Sequence, residues 1–166
     1  MIAESLAGRR IAVTGATGFL GTALVERLLR SVPGCEVVAL VRPGRRVSAA
    51  DRVRRDIVRN EAFDRLRQEW GTGFVAEIDR RLTALAGDVG RDGLDLDDAG
   101  RATLASCDVV IHSAAAVSFD VPIDGAVEVN LLGPRRVAEV LSETGSSAHL
   151  VAVSTAYVAG NRRGHA

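Results

Sequence analysis

The apolar run Arg10-Ile11-Ala12-Val13 leads through Thr14-Gly15-Ala16-Thr17-Gly18-Phe19-Leu20-Gly21 into an amphipathic run that ends at Leu29. That order dictates local structure: a strand ends in glycines and a helix begins at once. The first amides of such a helix point outward without intrahelical partners, and its dipole favours negative charge, so the junction is a ready anion site. Gly15 permits the tight turn, Gly18 lets backbone approach a pyrophosphate, and Gly21 lets the helix lie close on the strand. A glycine pattern alone is weak evidence, but its place in a strand–turn–helix unit makes it selective. Thr14, Gly15, Thr17, Gly18, Phe19, Leu20 and Gly21 are therefore the candidate phosphate-binding turn.

All 21 basic residues are arginine, and no lysine occurs in the chain. Any chemistry that needs an ammonium must draw it from elsewhere. A length of 166 residues suits one domain, residues 1–166, with a sizeable core. Hydrophobic content of 47% and 21 acids against 21 bases exclude disorder and argue against nucleic acid as a partner. Cys35 and Cys107 make neither a disulfide framework nor a metal site, and the N-terminus lacks the basic flank and apolar core of a signal peptide. No apolar run reaches membrane-spanning length. The expectation is a reduced, cytoplasmic protein.

Apolar runs at residues 10–14, 36–41, 81–86, 108–113 and 149–154 alternate with helical patterns at 19–30, 48–70 and 124–143, and with a shorter one within 94–104 that has Asp97 and Asp98 near its start. Unbroken Val/Ile/Leu/Ala strands separated by helices indicate a parallel sheet buried on both faces. The fold class is α/β, a doubly wound parallel sheet of the Rossmann type with strand order 3-2-1-4-5, in which a sixth strand would lie beside the fifth. The sequence stops just past the fifth strand. An open apolar edge is something native proteins avoid. The expectation is an N-terminal portion truncated after strand five, its edge covered by a missing C-terminal part or by another chain.

The end of the second strand discriminates between nucleotides, because an acid there holds a ribose 2′-hydroxyl and an arginine accommodates a 2′-phosphate. The sequence reads Val41-Arg42-Pro43-Gly44-Arg45-Arg46, with no acid before Asp51. Guanidinium groups meet phosphate with forked hydrogen bonds, so NADP(H) is the expected cofactor, with Arg42 as its main ligand. Arg45 and Arg46 are read as the start of a basic, solvated helix. Asp88 and Val89 follow the third strand, where a carboxylate can accept from the adenine amino group, although Asp88 could equally cap a turn. Ser113, Ala114, Ala115 and Ala116 follow the fourth strand, and their small side chains let backbone lie against the cofactor.

These segments, together with Val129-Asn130-Leu131-Leu132-Gly133 and Val153-Ser154-Thr155-Ala156-Tyr157-Val158, occur in the order seen in extended short-chain dehydrogenases/reductases. The Ala-Ala-x-Val-x-Phe-Asp run Ala114-Ala115-Ala116-Val117-Ser118-Phe119-Asp120 and the Ser-Thr-Ala-Tyr-Val run look specifically like fatty acyl-CoA reductases. The resemblance spans nearly the whole chain. It implies NADPH-dependent reduction of a long-chain acyl-CoA, or another acyl thioester, to an aldehyde or alcohol. It also implies a carbonyl-holding hydroxyl at Thr155, with Ser154 second, and a proton-relay role for the Asn130 backbone carbonyl. Pro134 lacks the amide that would bond that carbonyl four residues back; a kink with packing causes is the other explanation.

In the family pattern a Tyr and a Lys four residues later supply the proton. Tyr157 is followed at that distance by Asn161, so it belongs to the strand-end motif, and the chain alone is expected to be inactive. The arginines of residues 48–70 could meet CoA phosphates or a membrane surface peripherally. Interleaved Asp51, Asp56, Glu61 and Asp64 favour a solvated face instead, with Trp70 and Phe74 as anchors. A sugar-nucleotide epimerase or dehydratase shares the fold and first motif, and a non-catalytic NADP-binding module would also lack the Tyr/Lys pair.

Overall fold

The computed structural model describes residues 2–118, 120 and 122–164; Phe119 of the acyl-reductase-like run lies outside them. After a short helix, α1 (Ile2–Ser5), the strands are β1 (Arg10–Thr14), β2 (Glu36–Val41), β3 (Leu82–Ala86), β4 (Val109–His112) and β5 (His149–Ala152). They form one parallel sheet in the order β3-β2-β1-β4-β5, the order the sequence implies. β1 is central, with Thr14 opposite Leu40 of β2 on one side and His112 of β4 on the other.

Both faces of the sheet are covered, which is why its strands lack polar alternation. Ile11, Val13, Val37 and Ala39 pack against Val25 and Leu29 of α2 (Phe19–Ser31) and against Ile57, Phe63 and Leu66. Ala12, Val38, Leu40 and Val110 face the other way, onto Leu104, Val137 and Val140. β5 pairs with β4 alone among the described residues, and its side chains are largely exposed.

The helix expected over residues 48–70 is broken. It runs as α3 (Ala49–Arg52), a wide π turn (Val53–Val58), a 3-10 turn (Glu61–Phe63) and α4 (Asp64–Trp70), followed after Gly71–Gly73 by α5 (Phe74–Arg81). Asn60 causes the break: its backbone is extended and its side chain accepts the N–H of Ala62 at 3.0 Å, capping a new start. The apolar spacing survives, since Val53, Ile57, Phe63 and Leu66 are all buried. Arg52 and Arg55 pair with Asp56, Arg65 with Glu69 and Arg67 with Asp64, so much of the basic face is neutralised locally. The Trp70 and Phe74 rings lie 6.1 Å apart and anchor this region.

Arg45 and Arg46 do not begin a helix. They form the tip of a tight turn closed by Gly44 N–H donating to Val47 O at 2.9 Å, and helix α3 starts later under the Ser48 cap. Asp97 caps α6 (Asp98–Ala105), accepting from Gly100 N–H at 2.7 Å. The last helical segment comprises α7 (Ile123–Ala126), a second π turn (Val127–Leu131) and α8 (Leu132–Glu143).

Candidate functional site

A cleft of about 400 Å³ lies over the carboxyl ends of β1 to β4. This is where an open doubly wound sheet binds ligands, because the strand order reverses there. Gly15, Thr17 and Gly18 form one wall. Helix α2 starts directly behind them with Gly18 as its N-cap, and no side chain caps its first turn. Its leading amides therefore face the cleft side without a side-chain competitor, which suits an anion.

Two glycines of this turn are sterically required. Gly15 has φ +67°, and a Cβ on it would stand 2.7 Å from the backbone of Ala114. A Cβ on Gly21 would stand 2.1 Å from the Gly15 carbonyl oxygen. The glycine turn and the loop after β4 thus touch each other. Side chains tie them together: Ser113 Oγ donates to Thr14 O at 2.7 Å, and Ala114 N–H donates to Thr14 Oγ1 at 3.3 Å. Thr14 Oγ1 lies 2.8 Å from His112 Nδ1, and burial holds the His112 pKa below its ordinary value.

Arg42 stands at the end of β2 with its side chain mostly exposed. Its carbonyl accepts from Arg52 Nη1 at 2.7 Å, while Arg52 Nε donates to Asp56 at 3.0 Å. Arg52, which sequence reasoning assigned to a solvated face, therefore lines the cleft as a second guanidinium. A signal existed: it lies ten residues after Arg42, on the first turn under the Ser48 cap. Neighbouring Arg55 and Arg52 hold the Asp56 carboxyl below the usual carboxylate range.

Asp88, Val89, Ser113, Ala114, Ala115 and Ala116 all line the cleft, as expected from their strand-end positions. Gly87, beside Asp88, and Val129, from the family-like run, line it too, as do Leu40 and Val41, which carried no sequence signal beyond being apolar. Thr14 is fully buried beneath the cleft, Gly21 is packed behind the turn, and Phe19 and Leu20 are exposed beside it. None of these four lines the cavity, although backbone at Phe19 and Leu20 forms the first turn of α2.

Asn130 approaches the site through its side chain. Its Oδ1 accepts Ala116 N–H at 2.8 Å and its Nδ2 donates to Ala116 O at 3.0 Å, bracing the loop after β4. Asn130 sits in the π turn Val127–Leu131, four residues ahead of Pro134, which has no amide to offer the Asn130 carbonyl. Ser154 and Thr155 lie beyond β5, both exposed, and neither is among the residues that line the cleft. Thr155 Oγ1 accepts Tyr157 N–H at 3.2 Å as cap of a 3-10 turn, and Tyr157 is 80% exposed.

The chain matches an NAD-binding family described as Male sterility protein over residues 13–166. It is 32% identical over 166 residues to the alcohol-forming fatty acyl-CoA reductase of Simmondsia chinensis, covering 98% of this chain and 34% of that protein. Its structure resembles the terminal R domain of the myxalamid PKS-NRPS biosynthetic pathway (TM-score 0.70, 27% identity), covering 92% of this chain and 36% of that one. It also resembles the reductase (R) domain of a nonribosomal peptide synthetase from Mycobacterium tuberculosis (TM-score 0.68, 30% identity), covering 92% and 34%. The chain spans 27% to 34% of the length of the first four curated relatives.

Proposed function

This chain belongs to the Male sterility protein family of NAD-binding domains, and from that premise we propose that it is the NADP(H)-binding, N-terminal part of a reductase for long-chain acyl thioesters, fatty acyl-CoA above all. The nucleotide is a nicotinamide dinucleotide; the finer assignment to NADP(H) rests on Arg42 and Arg52, two guanidinium groups on the cleft wall at the end of β2, with no carboxylate on that strand end. That observation carries the proposal. The uncapped start of α2 suits the pyrophosphate, and Asp88 suits the adenine amino group.

A bound dinucleotide supplies hydride; the chain's own residues bind and orient it. Ser113 to Ala116 present small side chains and backbone along one wall, and Asn130 keeps that backbone in place through Ala116. Thr155, with Ser154 second, is assigned to holding the thioester carbonyl, where negative charge builds as hydride adds. The protonating Tyr/Lys pair is assigned outside these 166 residues, which contain no lysine. Free, buried Cys35 and Cys107 suit a reducing compartment, and the cytoplasm is the assigned location. Among the described residues no helix is long and apolar enough to cross a membrane.

Titration of the purified chain with NADPH and NADH tests this. NADPH is expected to bind at least about tenfold tighter, the effect of one or more charge-assisted bonds to the 2′-phosphate. Equal affinities would overturn the NADP(H) assignment, and no binding of either would overturn the site. NADPH oxidation by this chain alone with a long-chain acyl-CoA would show that the proton donor lies within it.

A further inference from the structure

The two carboxylate oxygens of Asp88 have different partners. Oδ1 accepts Gly90 N–H at 2.9 Å and closes the turn after β3. Oδ2 faces Nη1 of Arg42 at 3.8 Å. The carboxylate is fixed from behind, because Asp88 N–H donates at 2.8 Å to the carbonyl of Leu94, a fully buried residue with φ 59°. Arg42 is the movable partner, with its side chain 71% exposed against 21% for Asp88.

Two neighbouring arginines are already engaged. Arg136 holds Asp92 and Glu128 at 2.9 Å each in the adjoining hollow, and Arg52 holds Asp56 and the Arg42 carbonyl. Arg91 also borders that hollow. Arg42 and Asp88 are thus the pair placed to exchange partners.

We propose that Asp88 is a specificity-determining residue that competes with the nucleotide 2′-phosphate for Arg42. The proposal rests on the NADP(H) reading and deepens it. A 2′-phosphate draws Arg42 away from Asp88 with a forked pair of charge-assisted bonds, at the cost of the Arg42–Asp88 ion pair. A 2′-hydroxyl has no charge with which to draw the arginine, so Arg42 stays beside Asp88. Asp88 therefore tempers the preference for phosphorylated nucleotides, which Arg42 alone would make steeper.

The test is calorimetric titration with adenosine 2′,5′-bisphosphate and with 5′-AMP, using the parent chain, Asp88→Asn, Arg42→Gln and the double variant. Asparagine keeps an oxygen for Gly90 N–H and releases Arg42; an acceptor lost to adenine at the Oδ2 position is lost for both ligands and cancels in their affinity ratio. The affinity ratio favouring the bisphosphate is expected to rise about two- to fivefold in Asp88→Asn, the size of a partly exposed ion pair. It is expected not to change when Asp88→Asn is added to Arg42→Gln. An unchanged ratio in the single variant overturns the proposal. So does an equal rise in both backgrounds, which would mean simple repulsion between Asp88 and the phosphate. Equal affinity of the parent chain for both ligands would count against the NADP(H) reading alone, because the proposal is read from the change between chains.

Discussion

Thr14 and His112 are register partners at the carboxyl ends of β1 and β4, and their side chains meet with Thr14 Oγ1 2.8 Å from His112 Nδ1. Thr14 Oγ1 also receives Ala114 N–H, so one hydroxyl links the end of β1 to both β4 and the loop after it. The pair sits directly beneath the contact between the glycine turn and the loop after β4.

This buried imidazole gives stability a defined pH dependence. Burial lowers the folded-state pKa of His112, so below about pH 6.5 the unfolded chain takes up a proton that the folded chain refuses. Stability is complete above that pH and falls as pH drops toward the folded pKa, by at most about 1.4 kcal/mol per pH unit. Urea unfolding from pH 7.5 to 5 should show this slope, and His112→Gln should flatten it.

Gly21→Ala should be severe despite adding one methyl group. Its Cβ would stand 2.1 Å from the Gly15 carbonyl oxygen, and backbone cannot swing aside as a side chain can. A loss of about 3 kcal/mol or more is expected from thermal or urea unfolding, with nucleotide binding lost alongside.

Asn130→Ala should separate binding from folding. It removes both bonds to Ala116, yet Asn130 is exposed, so unfolding free energy should change by less than about 1 kcal/mol. NADPH affinity should weaken by about tenfold as the loop after β4 loosens. Asn130→Asp should not rescue it, because a carboxylate cannot donate to Ala116 O.

Arg81→Lys should do the opposite. The buried Arg81 guanidinium donates to Cys35 O at 2.8 Å and Val32 O at 2.9 Å and lies 5.5 Å from the Trp70 ring centre. Lysine reproduces neither the fork nor the stacking, and a loss of about 2 kcal/mol is expected. Arg81 lies just before β3, at the amino ends of the strands, so NADPH affinity measured below the unfolding transition should not move.

By itself the sequence determined the strand order, the parallel sheet and the position of the nucleotide turn. Each follows from local pattern: unbroken apolar strands, helical spacing between them, and glycines where a strand meets a helix. Asp88 shows where pattern stops being sufficient. As an adenine acceptor or a turn cap it was ambiguous from sequence, and in the fold Oδ1 closes the turn while Oδ2 faces Arg42. Only the tertiary structure brought Arg52 from a surface helix to the cleft, gave the Asn130 side chain its grip on Ala116, and joined Thr14 to His112 across 98 residues of sequence. The physical reason is the same in each case. A residue's neighbours along the chain set its backbone, whereas the partners of a polar side chain are set by which strand ends the sheet brings side by side.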